Sequence, residues 1–176
     1  MLQPQRDKSL PARFWMEVWN STALPKVNFF FWTLVHNKQL TGDNLQKRKI
    51  AGPHRCVLCC NNSETAQHLF MECSFAEEVW VLTLQELQIS APLQNSIADL
   101  FASWSQHYPH RIPSKSFWRR IWIALPKYVC WQIWLARNQK IFTELHYTPL
   151  QVAAKAKSFL LEAAQIQYFK EDHSAR

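Results

Sequence analysis

Three cysteines and a histidine of this 176-residue chain fall within RCVLCCNNSETAQHLFMEC, residues 55–73, as Cys56, Cys59, His68 and Cys73 in the spacing Cys-x2-Cys-x8-His-x4-Cys. Thiolates and imidazole suit tetrahedral Zn²⁺, and a two-residue spacer lets a tight turn bring two sulfurs onto one ion. Cys60 is a spare thiol that could replace Cys59, and His54 could compete with His68. Four protein ligands close the coordination shell, whereas catalytic zinc keeps a position open for water beside a general base. The His-x-Glu then Pro-Cys-x-x-Cys order of nucleoside deaminases is absent. The expected cofactor is therefore one structural Zn²⁺, with binding on the order of 10 kcal/mol coupled to folding of this half.

Other reactive constellations are missing, so no enzyme activity is expected. Asp7, Asp43, Asp99 and Asp172 are scattered, while a two-metal centre needs clustered carboxylates. Two glycines, Gly42 and Gly52, cannot build a phosphate-cradling loop. Cys130 lies in an apolar helical stripe, which points to a buried thiol rather than a nucleophile.

The formal charge of +7 makes RNA or DNA the first partner class to consider. Lys47, Arg48, Lys49 and Arg55 flank the cysteine knuckle, whose rigid turn would present them to phosphates. Lys115, Arg119 and Arg120, beside Trp118, form a second group, of which Arg119 and Arg120 are the candidate contacts; the pair Arg137 and Lys140, and the pair Lys155 and Lys157, read as solvated helix faces. Nine tryptophans recur mostly at helical spacing, which implies a bulky core and, in the C-terminal half, an apolar surface for a protein partner. Four of five cysteines cluster and no signal peptide opens the chain, so an intracellular, reducing compartment is expected. No apolar run reaches membrane-spanning length, and no membrane partner is expected.

These side chains need elements to hold them. With few glycines and no alternating β-branched run, the expected fold class is all-α: a small helical zinc-knuckle half packed with a helical C-terminal half. Phe14, Trp15, Val18 and Trp19 share one helical face, and a second helix starts at Pro25 with Val27, Phe30, Phe31, Leu34 and Val35 inward. Asp43 is expected to cap a helix Asn44–Lys49, Ser63 the turn carrying His68, and Ser74 with Glu77 the next helix, to about Leu87. His68 and Cys73 lie about 140° apart on a continuous helix, so that helix is expected to stop near Glu72. Pro126 interrupts a strong helical pattern from Ser116 and predicts a kink or a break. Thr148, Pro149 and Gln151 open the last helix, read to about Phe169. The domain reading is a loose lead-in at 1–12, a zinc-binding subdomain at 13–88, a linker with a short helix (Ser96 to Trp104) at 89–113, a helical subdomain at 114–170 and a frayed tail at 171–176.

Several residues also occur in a familiar order: Phe14-Trp15 and Trp19; Leu24-Pro25-Lys26-Val27 with Phe31-Trp32 and His36; Leu40-Thr41, Asn44-Leu45 and Arg48; then Cys56, Cys59, Glu64, His68-Leu69-Phe70, Cys73 and Val79-Trp80. This succession resembles the reverse-transcriptase zinc-binding domain of plant long interspersed element (non-LTR) retrotransposons. Trp131-Gln132-Ile133-Trp134, Arg137-Asn138 and Ile141-Phe142 resemble the segment that joins that domain to a ribonuclease H in such elements. The resemblance implies zinc ligands at Cys56, Cys59, His68 and Cys73, and an accessory that contacts RNA or DNA. With no polymerase aspartate pair or ribonuclease H in the chain, the expectation is a non-catalytic segment, excised from an element or surviving as a derived protein.

Overall fold

Helical periodicity becomes seven α-helices in the computed structural model, which describes residues 12–19, 21–85, 89, 96–109 and 116–174. They are α1 (Ala12–Trp19), α2 (Pro25–Val35), α3 (Gly42–Lys47), α4 (Ser74–Leu84), α5 (Ile97–Trp104), α6 (Ser116–Phe142) and α7 (Pro149–Ser174), with a π-helical turn at His68–Glu72. The fold is all-α, and among the described residues β-pairing is limited to one antiparallel bridge, Arg55 with Ser63. The lead-in 1–11, most of 86–95, and 110–115 with its Lys115 lie outside the described residues. Helix α7 continues through Ser174, into the stretch read as a tail.

The long helices α6 and α7 pack together and receive the zinc half on one side, α2 against α6 and α4 along α7. Phe30 meets Trp131 and Trp134 at 5.1 and 6.3 Å between centroids, and Phe31 meets Phe101 at 4.2 Å. Such aromatic pairs add about 0.5–1.5 kcal/mol each beyond the area they bury. Trp80, Trp104 and Trp122 are buried, whereas Trp19 is 49% exposed and Trp118 39%. The aromatic face of α1 is thus only partly used: Phe14 is inside and packs on Phe31.

Pro126 does not split α6, which runs unbroken from Ser116 to Phe142. Proline cannot donate to the carbonyl four residues earlier, that of Trp122. Here Trp104 Nε1–H donates to the Trp122 carbonyl at 2.9 Å, and Trp122 Nε1–H donates to the Trp104 carbonyl at 3.1 Å, with the two indoles stacked. The orphan acceptor is satisfied from another helix, so no break is needed.

Helix starts match expectation where the cap is purely local. Thr148 and Gln151 exchange a reciprocal pair of bonds before α7. A cap not read from the sequence joins it: Asp99 N–H donates to Ser96 Oγ and the Ser96 hydroxyl to Asp99 Oδ2 at the start of α5. Three others differ. Helix α3 begins at Gly42 with Thr41 as its N-cap residue, and Asp43 lies inside the first turn, accepting from the Thr41 hydroxyl. It is the Thr65 hydroxyl oxygen, rather than that of Ser63, that accepts from the His68 N–H. Ser74 is the first residue of α4 and Cys73 holds the cap position, because Cys73 must stay extended to reach the metal site.

Candidate metal centre and its basic surround

The knuckle is a two-sided turn. Cys56 N–H donates to Asn62 O at 2.7 Å and Cys60 N–H to Cys56 O at 2.8 Å, folding residues 56–62 into a closed loop. Opposite it stands the π-helical turn, in which Cys73 N–H donates to His68 O at 2.8 Å. That bond spans the same five residues that separate the two ligands. The helix ends at Glu72, as the ligand spacing required, with Cys73 extended beyond it and α4 restarting at Ser74; what the spacing did not show is that this last turn is π-helical, closed by the bond from Cys73 to His68.

The ligand atoms of Cys56, Cys59, His68 and Cys73 all lie within 4.8 Å of one another. Cys56 Sγ and Cys73 Sγ are 3.7 Å apart, and Cys59 Sγ is 3.3 Å from His68 Nε2. A tetrahedron with Zn–S of about 2.3 Å has sulfur edges near 3.8 Å, so the sulfur pair is spaced for one ion and is far too wide for a disulfide. Cys56, His68 and Cys73 are buried, and His68 Nδ1 has no hydrogen-bond partner among the described residues, which leaves the ring's orientation to the bond made by its other nitrogen. Three thiols and an imidazole on one small centre fit a single zinc ion. Cys60 is exposed and turns toward Val57 O, and His54 is exposed, so neither joins the cluster.

The hydrogen bond between the two thiols, and then burial, push the Cys56 proton affinity well up, whereas accepting that bond lowers Cys73, helped by the first-turn amides of Ala76 and Phe75. The two thiols are thus pushed in opposite directions, and a bound cation would favour the thiolate form of both. Four protein ligands would fill a tetrahedral shell, the arrangement of a structural zinc site.

Residues 1–80 match the family described as zinc-binding in reverse transcriptase. The matched zinc-binding region holds all four ligands. No curated protein and no solved structure matches the chain.

Glu64, singled out in the sequence only through the resemblance, ties this region to the rest. It is 1% exposed, and its carboxylate accepts from Arg137 Nη2 at 2.6 Å, Arg137 Nε at 3.2 Å and Gly42 N–H at 3.0 Å. Arg137, read in the sequence as a solvated face, is buried and lies over Trp134. Its sign was legible and its partner was not, because the pair spans 73 residues. Gly42 is required by close approach: a Cβ there would stand 2.1 Å from Pro53 O.

The basic candidates separate into two places. Lys47, Arg48, Lys49 and Arg55 are all exposed around the knuckle, Lys47 in an i,i+4 pair with Asp43 at 2.9 Å. Arg119 and Arg120 sit near the start of α6, about 27 Å along the helix from Arg137 and hence away from the zinc site. Asp43 and Asp99 are bonded within their own turns, and Asp7 and Asp172 fall where no side chain is described. Cys130 is wholly buried, and burial raises its thiol far out of the reactive range.

Proposed function

We propose that this chain is a non-catalytic, zinc-clamped nucleic-acid-binding module derived from a retrotransposon, in line with its likeness to the plant elements. The observation that carries the reading is charge distribution. Between Val18 and Ser63 the sequence holds six Lys or Arg residues and a single acid, Asp43. All six, Lys26, Lys38, Lys47, Arg48, Lys49 and Arg55, are exposed, and Asp43 is already paired. The next acid, Glu64, is buried against Arg137. Zinc gives this cationic face a rigid turn, and Lys47, Arg48, Lys49 and Arg55 contact phosphates without reading sequence; Arg119 and Arg120 offer a separate contact at the far end of α6.

Fluorescence anisotropy against RNA and DNA, over a series of salt concentrations, tests this. Micromolar affinity with a negative log–log salt slope is expected, and no salt-dependent binding below about 10 µM sinks the proposal. A second reading, a protein-docking module, is favoured by exposed apolar side chains of the C-terminal half: Trp118, Phe142, Leu145, Leu150 and Leu161. A strict monomer by light scattering, with nucleic acid alone recovered in pull-downs, counts against it.

A further inference from the structure

Four rings on the outer side of α2 form a ladder of two stacked pairs. The ring of Trp15 lies on His36 with centroids 5.2 Å apart and planes 24° from parallel, and Trp32 lies on Phe29 at 6.1 Å and 21°; between the pairs, His36 meets Trp32 at 4.6 Å with planes tilted by 37°. Phe29, Trp32 and His36 follow i, i+3, i+7 spacing and so line one side of the helix, while Phe30, Phe31 and Leu34 fill the core from the other. His36 Nδ1–H donates to Trp32 O at 2.7 Å, which fixes the middle ring. Phe29, at the open end of the stack, is 61% exposed. A phenyl ring that open contributes little to the core, yet it is held parallel to the indole behind it.

The setting is cationic. Lys26 stands one turn before Phe29 and Lys38 just past His36, both exposed, and no acid occurs between Val18 and Gly42. At the His36 end, Asn44 Nδ2–H donates to Asn37 O at 3.0 Å and Gln39 O at 2.9 Å, docking α3 and its basic run Lys47, Arg48 and Lys49 onto the end of α2. Ring faces flanked by lysines and continuous with a basic turn match a chain that alternates flat rings and phosphates. A duplex keeps its base faces buried in its own stack, whereas an unpaired strand offers them.

We propose that the ladder Phe29, Trp32, His36 and Trp15 is a stacking platform for unpaired bases of a single-stranded nucleic acid, whose phosphates pass Lys26 and Lys38 toward Lys47, Arg48 and Lys49. This rests on the nucleic-acid reading above and narrows it to single strands. The test uses the zinc-loaded full chain with labelled oligouridylate, oligothymidylate and a duplex of equal length. Phe29→Ala should weaken binding to one or both single strands about five-fold or more, leave the duplex affinity, the salt slope and the thermal midpoint unchanged, and be rescued by Phe29→Trp. The two single-strand arms show whether oligouridylate or oligothymidylate is the better ligand. If Phe29→Ala binds single strands like the parent while a Lys47→Gln, Arg48→Gln, Lys49→Gln triple variant loses binding, the platform falls and the charge reading stands. No binding by the parent overturns both. If Phe29→Ala leaves nucleic-acid binding intact and abolishes self-association of the parent, the ladder is a protein contact and the proposal fails.

Discussion

Cys59 and Cys60 are adjacent thiols, and backbone conformation decides between them. Cys60 has φ of 61°, a left-handed position that directs its side chain out of the loop, while Cys59 faces His68. Cys59→Ser should therefore lower zinc content below one ion per chain by elemental analysis and reduce the thermal midpoint; Cys60→Ser should leave both unchanged. Equal loss from the two variants would contradict the ligand assignment. A second residue-scale feature is Lys127, 1% exposed, whose amine donates to Ser21 Oγ at 2.8 Å and Asn28 Oδ1 at 3.1 Å and lies 5.4 Å from the Phe31 ring. Burial lowers its pKa from 10.5 to about 7. Between those values the unfolded chain binds more protons than the folded one, so this group's contribution to stability rises with pH; below about 7 both states are charged and the folded state bears a buried ammonium. Denaturant unfolding from pH 7 to 9 should show the parent gaining up to about 1.4 kcal/mol per pH unit relative to Lys127→Met. Parallel pH profiles would rule the effect out.

At the scale of elements, helix ends carry both strain and charge. Helix α3 closes with Ile50 N–H bonded to Leu45 O and Lys49 N–H to Gln46 O, which places Lys49 at φ of 59°. This is a glycine position occupied by lysine. A lysine held there costs about 1 kcal/mol against glycine, a strain consistent with a binding role for its charge. Lys49→Gly should raise stability by about 0.5–1 kcal/mol in thermal melts while weakening nucleic-acid affinity and flattening the salt slope. The local signals for such elements are readable: helix existence, the cap pair Thr148 with Gln151, and the apolar stripe of α2 all rest on residues within one or two turns. The start at Gly42 escapes such reading because a long-range bond sets it, Glu64 accepting from Gly42 N–H across 22 residues; Thr65 is missed because Ser63, two residues earlier, offers the same hydroxyl, and only the fold shows which one accepts from His68 N–H.

For the whole molecule, the zinc half and the helical half share one core. Glu64 with Arg137, Leu24 N–H with the Tyr128 hydroxyl, and Phe70 against Trp134 all cross between them. Breaking a buried ion pair from one side typically costs about 3–5 kcal/mol, because the remaining charge stays buried alone. Glu64→Gln should therefore lower global stability by that order and loosen zinc, seen as faster transfer to a chromogenic chelator. A fragment ending at residue 85 should fail to give a cooperative melt even with zinc, since Phe30, Val79 and Trp80 lose the helices that cover them. A sharp melt for that fragment would show that the matched region is autonomous.

Taken alone, the sequence determines what is encoded by neighbours: ligand types and spacing, helical class, cap pairs, and a basic stretch nearly free of acids. Those depend on local chemistry and on periods of a few residues. Tertiary structure decided the rest. It turned Cys60 out of the loop and left Cys59 facing His68, made the last turn before the stop at Glu72 π-helical, kept α6 whole across Pro126 by supplying Trp104 as donor, buried Arg137 against Glu64, and brought Phe29, Trp32, His36 and Trp15 together. Each depends on a partner many residues away or on a backbone angle that residue type alone does not specify.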